Sequence, residues 1–316
     1  MEANIKWDAE SWKIRFELAV KAKNHHELHA LRIEVYRNTL EIVRRGQYET
    51  SQGVRISLDN AEALIAGSRF YTQELSTATS ISRQYSTHVE VVNADCLAVA
   101  RELTSNFADV CVLNLANRRN PGGGVISGCG AQEEYLFRCS DYYRSLYQFA
   151  HYAEQYGLPL SEKYRYPMDR NFGGIFSPGV TIFRGGEEKG YPLLEMPWKV
   201  NMIAVAGMNR PALEYINDEP RVASYLVSGV KNKMRTIFRI ARENNQKTLV
   251  LGALGCGAFR NPPRHTAEMF REVMEEPEFS GVFKNICFAI KEDHNSRGVG
   301  NYAPFAEVFR NFNLCK

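Results

Sequence analysis

The 316-residue sequence predicts a layered α/β fold built on a largely parallel or mixed sheet. Three observations predict it. From His88 onward, short apolar runs recur: Val89–Val92, Val110–Leu115, Met202–Val205, Leu249–Leu251 and Ile286–Ile290. Bounded by turn residues, such runs suit strands buried on both faces. Between them lie stretches with helical spacing at Gln132–Ala153, Arg221–Glu243 and Thr266–Glu275. In Arg221–Glu243 the residues Val222, Leu226, Val230, Ile237 and Ile240 form the apolar side. Strands that alternate with helices in this way point to layers of helix on sheet.

The elements before His88 have a different texture. Asn24–Arg45 is helical, with Leu28, Leu31, Val35, Leu40 and Val43 at three- to five-residue steps, and Gly46 offers a stop. Val54–Leu58 alternates like a short strand. Asn60–Leu75 reads as a second helix with Asn60 as its cap. Residues 1–87 are therefore expected to form a mainly helical extension packed on an α/β domain of residues 88–316. Gly157–Lys199 has neither period and is rich in Gly, Pro and aromatic residues, so it reads as a long structured loop.

Composition excludes several classes. With 44% hydrophobic and 24% charged residues the chain has the balance of a globular protein. Thirty-nine basic against 36 acidic residues give a net charge of +3, too small a bias to indicate direct DNA binding. No apolar run approaches the roughly 20 residues of a membrane helix, and the charged N-terminus does not resemble a secretory signal. Seven scattered cysteines (Cys96, Cys111, Cys129, Cys139, Cys256, Cys287 and Cys315) include no C-x-x-C pair. Neither a disulfide framework nor a zinc knuckle is expected, and reduced thiols fit the cytosol or nucleus. His25 and His29 share a helical face without a matching ligand set, so no metal is assigned.

The strongest chemical signal is Val110–Arg138. A buried strand ends near Asn114 and Asn117. Then come Asn120, Pro121 and the triplet Gly122-Gly123-Gly124, and a helix opens on Gln132-Glu133-Glu134. Ligands of α/β sheets bind beyond the carboxyl ends of strands. Consecutive glycines allow backbone N–H groups to approach an anion such as a phosphate. A plain flexible turn would also explain three glycines, and a solvated acidic pair at a helix start would explain the glutamates. Adjacent helical residues point about 100° apart, so Glu133 and Glu134 cannot flank a bond as the paired carboxylates of a standard glycosidase do. One should reach the reacting centre while the other holds the sugar.

A second strand runs into a glycine loop at Leu249–Asn261, where Gly252, Gly255, Cys256, Gly257, Ala258 and Phe259 follow the apolar run. Two such loops would hold both sides of a diphosphate, with Phe259 against a sugar or in the core. Cys256 as a nucleophile is a minor option. Asp95, after the first core strand, either caps the next helix or accepts a hydrogen bond from an adenine amino group. No G-x-x-x-x-G-K-[ST] occurs, and Ser127 stands where a dinucleotide fingerprint needs glycine.

At these residues the chain resembles the microbial-type poly(ADP-ribose) glycohydrolases, which are built on a macrodomain. The resemblance rests on Gly122-Gly123-Gly124, seven residues, then Gln132-Glu133-Glu134. It extends to Gly46-Gln47-Tyr48, to Ser177-Pro178-Gly179-Val180 with Phe183-Arg184, and to Gly255 through Asn261. It implies a macrodomain-like mixed sheet flanked by helices, with an N-terminal helical extension. It implies a hydrolase that cleaves ribose–ribose O-glycosidic bonds of poly(ADP-ribose) and releases ADP-ribose, with no cofactor and no metal. Glu134 would be the catalytic acid/base and Glu133 would hold ribose hydroxyls. Asn117, Asn120, Gln132, the glycine triplet and residues 255–259 would bind ADP-ribose, and Asp95 the adenine. Two other readings stay open: a module that binds ADP-ribose without cleaving it, and a hydrolase of singly ADP-ribosylated protein. Tyr135 and Asn117 depart from the residues usual in the family, and Tyr142–Asn171 is hard to match.

Overall fold

The structure, a computed structural model, describes residues 6–59, 61–76, 84–292 and 300–312. Asn60 and Cys315 lie outside the described residues. In chain order the elements open with α1 (Ala9–Lys21), α2 (His25–Arg45), β1 (Gln47–Glu49), β2 (Arg55–Ser57), α3 (Glu62–Gly67) and β3 (Arg69–Tyr71). They continue with β4 (His88–Val92), α4 (Cys96–Thr104), β5 (Val110–Leu115), α5 (Gln132–Cys139), α6 (Tyr143–Tyr147), β6 (Gly174–Arg184) and β7 (Leu193–Val205). The last are β8 (Leu213–Ile216), β9 (Glu219–Val222), α7 (Ser224–Glu243), β10 (Thr248–Leu251), α8 (Pro263–Glu275), β11 (Asn285–Ala289) and α9 (Tyr302–Phe309). The chain forms two compact units. One comprises Met1–Ser68, Arg119–Tyr166 and Ser177–Val200, the other Arg69–Arg118, Pro167–Phe176 and Asn201–Lys316.

The second unit carries α/β layering. Its mixed sheet has the order β3-β6-β7-β5-β10-β11-β4. Pairing is parallel for β5 with β7 and β10, and onward through β11 to β4. At the other edge β3 pairs antiparallel with β6, Arg69 opposite Phe176. Alternate strand residues Cys111, Leu113, Ile203, Val205, Leu249, Leu251, Ile286 and Phe288 join one apolar cluster, as the two-residue period of a strand requires. Met234, Ile237 and Phe238 of α7, Phe270 and Val273 of α8, and Phe305 and Phe309 of α9 complete it. The intervening residues Val112, Met202, Val250 and Cys287 are buried too, so the sheet is covered on both faces. Because these strands are parallel, the segments after β4, β5 and β10 leave at the same edge. Asp95, Asn117 and the loop 252–261 therefore share the carboxyl edge of the sheet.

The first unit is built around α2. Asn24 caps it by accepting the Glu27 N–H at 3.1 Å, and Gly46 ends it in the left-handed conformation at φ 65°. Leu31, Val35, Ile42 and Val43 are buried. Trp12 of α1 is fully buried and donates from Nε1 to the Leu31 carbonyl at 3.0 Å. A tyrosine cluster fills the space beside α6, with the Tyr36 and Tyr147 hydroxyls 2.8 Å apart and Tyr147 packed edge-on to Tyr156 at 4.6 Å.

Three sequence expectations need correction. The helix expected over Asn60–Leu75 ends at Gly67, because Ser68 turns extended and the next residues pair with β6 as β3. The helix expected over Gln132–Ala153 breaks at Ser140, which is extended and bridges to Ile182. The loop expected over Gly157–Lys199 instead contains β6 and most of β7.

That break places Asp141 in the interior. Its Oδ1 accepts the Thr181 N–H at 2.8 Å, yet burial pushes its carboxyl up from 3.8 to about 6. A carboxyl raised by folding retains its proton after the unfolded chain has released it, so its contribution falls as pH rises between those two values. Comparison with Asp141→Asn by chemical denaturation should show this. From pH 4 to pH 7 the wild type should lose up to about 3 kcal/mol relative to the variant. A pH-independent difference would show that Asp141 is ionised throughout.

Candidate active site

The glycine triplet and the Gln-Glu-Glu helix belong to the first unit, and they close on each other. Pro121 begins a turn in which the Gly123 N–H donates to the Asn120 carbonyl at 2.9 Å and the Val125 N–H to the Gly122 carbonyl at 3.0 Å. The amides on either side of Gly123 are therefore not used within the turn. The Gly122 N–H donates to Glu133 Oε1 at 3.1 Å, and the Gly124 N–H to Glu134 Oε1 at 2.8 Å. Both carboxylates hug Gly123, where a methyl group would sit 2.4 Å from Glu134 Oε1 and 3.2 Å from Glu133 Oε2. Gly123 also holds φ at +56°, a region that disfavours any side chain.

Glu133 and Glu134 are 3% and 6% exposed. These values exclude the solvated acidic pair as an explanation, since a buried carboxylate needs hydrogen bonds or charge partners. Oε2 of Glu134 is buried and has no hydrogen-bond partner among the described residues. One oxygen of this carboxyl is thus held by a backbone amide while the other is unpaired among the described residues. Glu133 and Gln132 open the same helix, and Asn120 is exposed at the start of the turn.

The second unit supplies the other expected residues along the carboxyl edge of its sheet. Asp95 caps α4, its Oδ1 accepting from the Leu97 and Ala98 N–H groups at 2.9 and 3.1 Å. The bland reading of that residue is therefore realised. Asn117 is half-buried just after β5. In the loop after β10, Gly255 takes φ +77°. Asn261, 3% exposed, donates from Nδ2 to the Met208 and Gly255 carbonyls at 2.7 and 3.0 Å. The loop is further closed by the Arg260 N–H on Gly257 O and the Asn261 N–H on Gly255 O, both 3.0 Å. Gly257 and Phe259 are half-buried and Ala258 is exposed. Burial pushes the Cys256 thiol up to about 12, which removes it as a nucleophile at neutral pH. Its own N–H closes a turn on Ala253 O at 3.0 Å. No group of three His, Cys, Asp or Glu suited to a metal occurs among the described residues.

Sequence reading missed the residues that hold these loops. Asn261 was legible only as the end of a motif. Arg138, 1% exposed on α5, donates to the Cys129 carbonyl at 2.8 Å and was given no role.

Known proteins resemble this chain. The family model for the microbial-type PARG catalytic domain matches residues 36–185. A poly(ADP-ribose) glycohydrolase from Thermomonospora curvata is 31% identical, with a TM-score of 0.69 over 88% of this chain and 99% of that one. The structure of that organism's enzyme with the inhibitor ADP-HPD is 29% identical, with a TM-score of 0.69 over 87% and 98% of the two chains. The Deinococcus radiodurans glycohydrolase in complex with ADP-ribose is 28% identical, with a TM-score of 0.63 over 82% of this chain and all of that one. No curated protein sequence matches. With its mixed sheet, its glycine turn and its buried glutamates, the chain belongs to the microbial-type poly(ADP-ribose) glycohydrolases and is a glycosidase.

Proposed function

We propose that the enzyme cleaves the ribose–ribose O-glycosidic bond of poly(ADP-ribose) with Glu134 as its general acid and base, releasing ADP-ribose. The observation that carries this is the Glu134 carboxyl itself: buried, anchored through Oε1 to Gly124, and without a hydrogen-bond partner at Oε2 among the described residues. Protonated Glu134 donates to the leaving ribose oxygen as oxocarbenium character develops at the anomeric carbon. The resulting carboxylate then takes a proton from the attacking water, and the carboxyl is restored. One residue acting first as acid and then as base is the logic of two-step glycosyl transfer.

Recognition is assigned to the remaining expected residues. Glu133 and Asn120 hold hydroxyls of the terminal ribose, beside Gln132 and the turn Gly122–Gly124. The loop Gly255, Cys256, Gly257, Ala258 and Phe259 takes the diphosphate, with Phe259 against the ribose, and the diphosphate's negative charge favours the developing cation. Asn117 and Asp95 serve the nucleoside; Asp95 does so while its Oδ1 caps α4. Among the described residues no helix is long and apolar enough to cross a membrane. Cysteines outside any disulfide, such as Cys111 and Cys287, favour a reducing compartment, cytosol or nucleus.

A product assay tests the reading. Purified poly(ADP-ribose) and singly ADP-ribosylated protein are each incubated with the enzyme, and free ADP-ribose is measured by chromatography. The expected result is rapid release from the polymer. Release only from the singly modified protein would assign a mono-ADP-ribosyl hydrolase, and ADP-ribose binding without release from either would assign a binding module.

A further inference from the structure

The carboxylates do not hold themselves in place. The seven residues between the glycine turn and α5 include Gly128 and Gly130, and α2 packs against both. At Gly128 a methyl group would sit 2.3 Å from the His29 carbonyl oxygen and 2.7 Å from its Cα, so the two backbones are in direct contact. At Gly130 it would sit 2.4 Å from Cζ of Arg32, whose guanidinium occupies the space a side chain would need. Arg32 is itself fixed by a two-pronged pair with Glu187, Nε to Oε2 at 2.8 Å and Nη2 to Oε1 at 2.9 Å. Phe16 underlies it, 5.2 Å from ring centre to guanidinium.

Between Gly128 and Gly130 stands Cys129, and both sides of its peptide are taken. Its N–H donates to the Gly124 carbonyl at 3.1 Å. Its carbonyl accepts from Arg138 Nη1 at 2.8 Å. Arg138 lies one helical turn beyond Glu134, and Glu134 accepts the Gly124 N–H. The bonds close a ring: Gly124 to Glu134, along α5 to Arg138, to Cys129, and back to Gly124. Arg138 Nε donates to the Tyr191 hydroxyl at 2.8 Å, and that hydroxyl donates to Glu187 Oε2 at 2.9 Å. The ring is thereby tied to the same carboxylate that holds Arg32. Burial alone would raise Glu187, but the hydrogen bonds and charge of Arg32, with Arg138 behind them, bring its carboxyl below the usual value. A charged arginine buried to 1% exposure is expensive unless its geometry is used.

We propose that Arg138 is a positioning residue for the hydrolysis: through Cys129 it closes the ring that fixes the Glu134 carboxyl against the glycine turn. Tyr191, Glu187 and Arg32 hold Arg138 and the loop in register, which gives α2 of the N-terminal region a role in the chemistry. The inference rests on Glu134 as the acid/base. A group that acts by placing another changes kcat rather than ligand affinity.

The test compares wild type, Arg138→Gln, Tyr191→Phe and Glu134→Gln on the full chain, with folding checked by circular dichroism. Arg138→Gln should lower kcat on poly(ADP-ribose) by about 10- to 100-fold, while the ADP-ribose Kd from calorimetry stays near that of wild type. Tyr191→Phe keeps the ring and removes one hydroxyl, so it should lower kcat by about 2- to 10-fold, again without a matching loss of affinity. Folded variants with wild-type kcat, or variants losing kcat and affinity by the same factor, would overturn the proposal. If Arg138→Gln does not fold, Tyr191→Phe decides alone. An active Glu134→Gln would instead strike the acid/base assignment, and an inactive wild type the glycohydrolase reading itself.

Discussion

Glu134→Gln is expected to remove turnover while preserving the fold and ADP-ribose binding. Glutamine has the same length, so its Oε1 still accepts the Gly124 N–H that holds the wild-type carboxyl at 2.8 Å. The change falls on the other atom. Oε2, buried and without a partner among the described residues, becomes an amide nitrogen that neither donates a proton as an acid nor takes one from water. Loss of such a group costs about 10²–10⁴ in rate. Since one buried polar atom replaces another, thermal stability should change little. The assay is ADP-ribose released from poly(ADP-ribose), paired with calorimetric titration of ADP-ribose. Wild-type cleavage by the variant would remove Glu134 from the mechanism.

Gly123→Ala is expected to produce the next largest loss, by geometry rather than by chemistry. At φ +56° the new side chain costs about 1–2 kcal/mol of backbone strain. Its methyl would also sit 2.4 Å from Glu134 Oε1 and 3.1 Å from Cδ. One of the two must move, and the carboxyl is the side-chain partner. A displacement near 1 Å costs about 100-fold in rate, so kcat should fall by about that factor. Gly53→Ala separates the two effects. Gly53 has φ +79° and nothing within 4 Å of a new methyl, so that variant should lose stability by a similar amount and keep its kcat. Equal activity losses in both variants would show that backbone strain alone, not contact with Glu134, governs the rate.

How much of this was legible follows from where each signal is stored in the chain. The core strands were readable because β5, β10 and β11 are buried on both faces and so carry at least three consecutive apolar residues each. Helix α2 was readable because its cap, its stripe and its terminal glycine are all local. By contrast, α1 buries only Trp12 and Ala19, too few residues to mark a stripe. Strands β6 and β7 carry Pro178, Gly179 and the exposed Glu195 and Met196, so no two-residue period survives along them. Strand β3 is fixed by its partner β6, which no local pattern announces. In the site, the turn and its two glutamates were legible together because they lie within one short segment. Their burial was not, since it depends on the Gly122 and Gly124 amides facing back onto α5. The tie from Arg32 through Glu187 spans 155 residues, beyond the reach of any spacing rule.

The central claim is that Glu134 addresses the anomeric carbon of the terminal ribose. A crystal structure of Glu134→Gln with ADP-ribose tests it most directly. The expected result is a terminal ribose whose hydroxyls meet Glu133, with its anomeric oxygen within about 3 Å of the residue 134 side chain. Bound ADP-ribose whose terminal ribose lies away from residues 133 and 134 would contradict it.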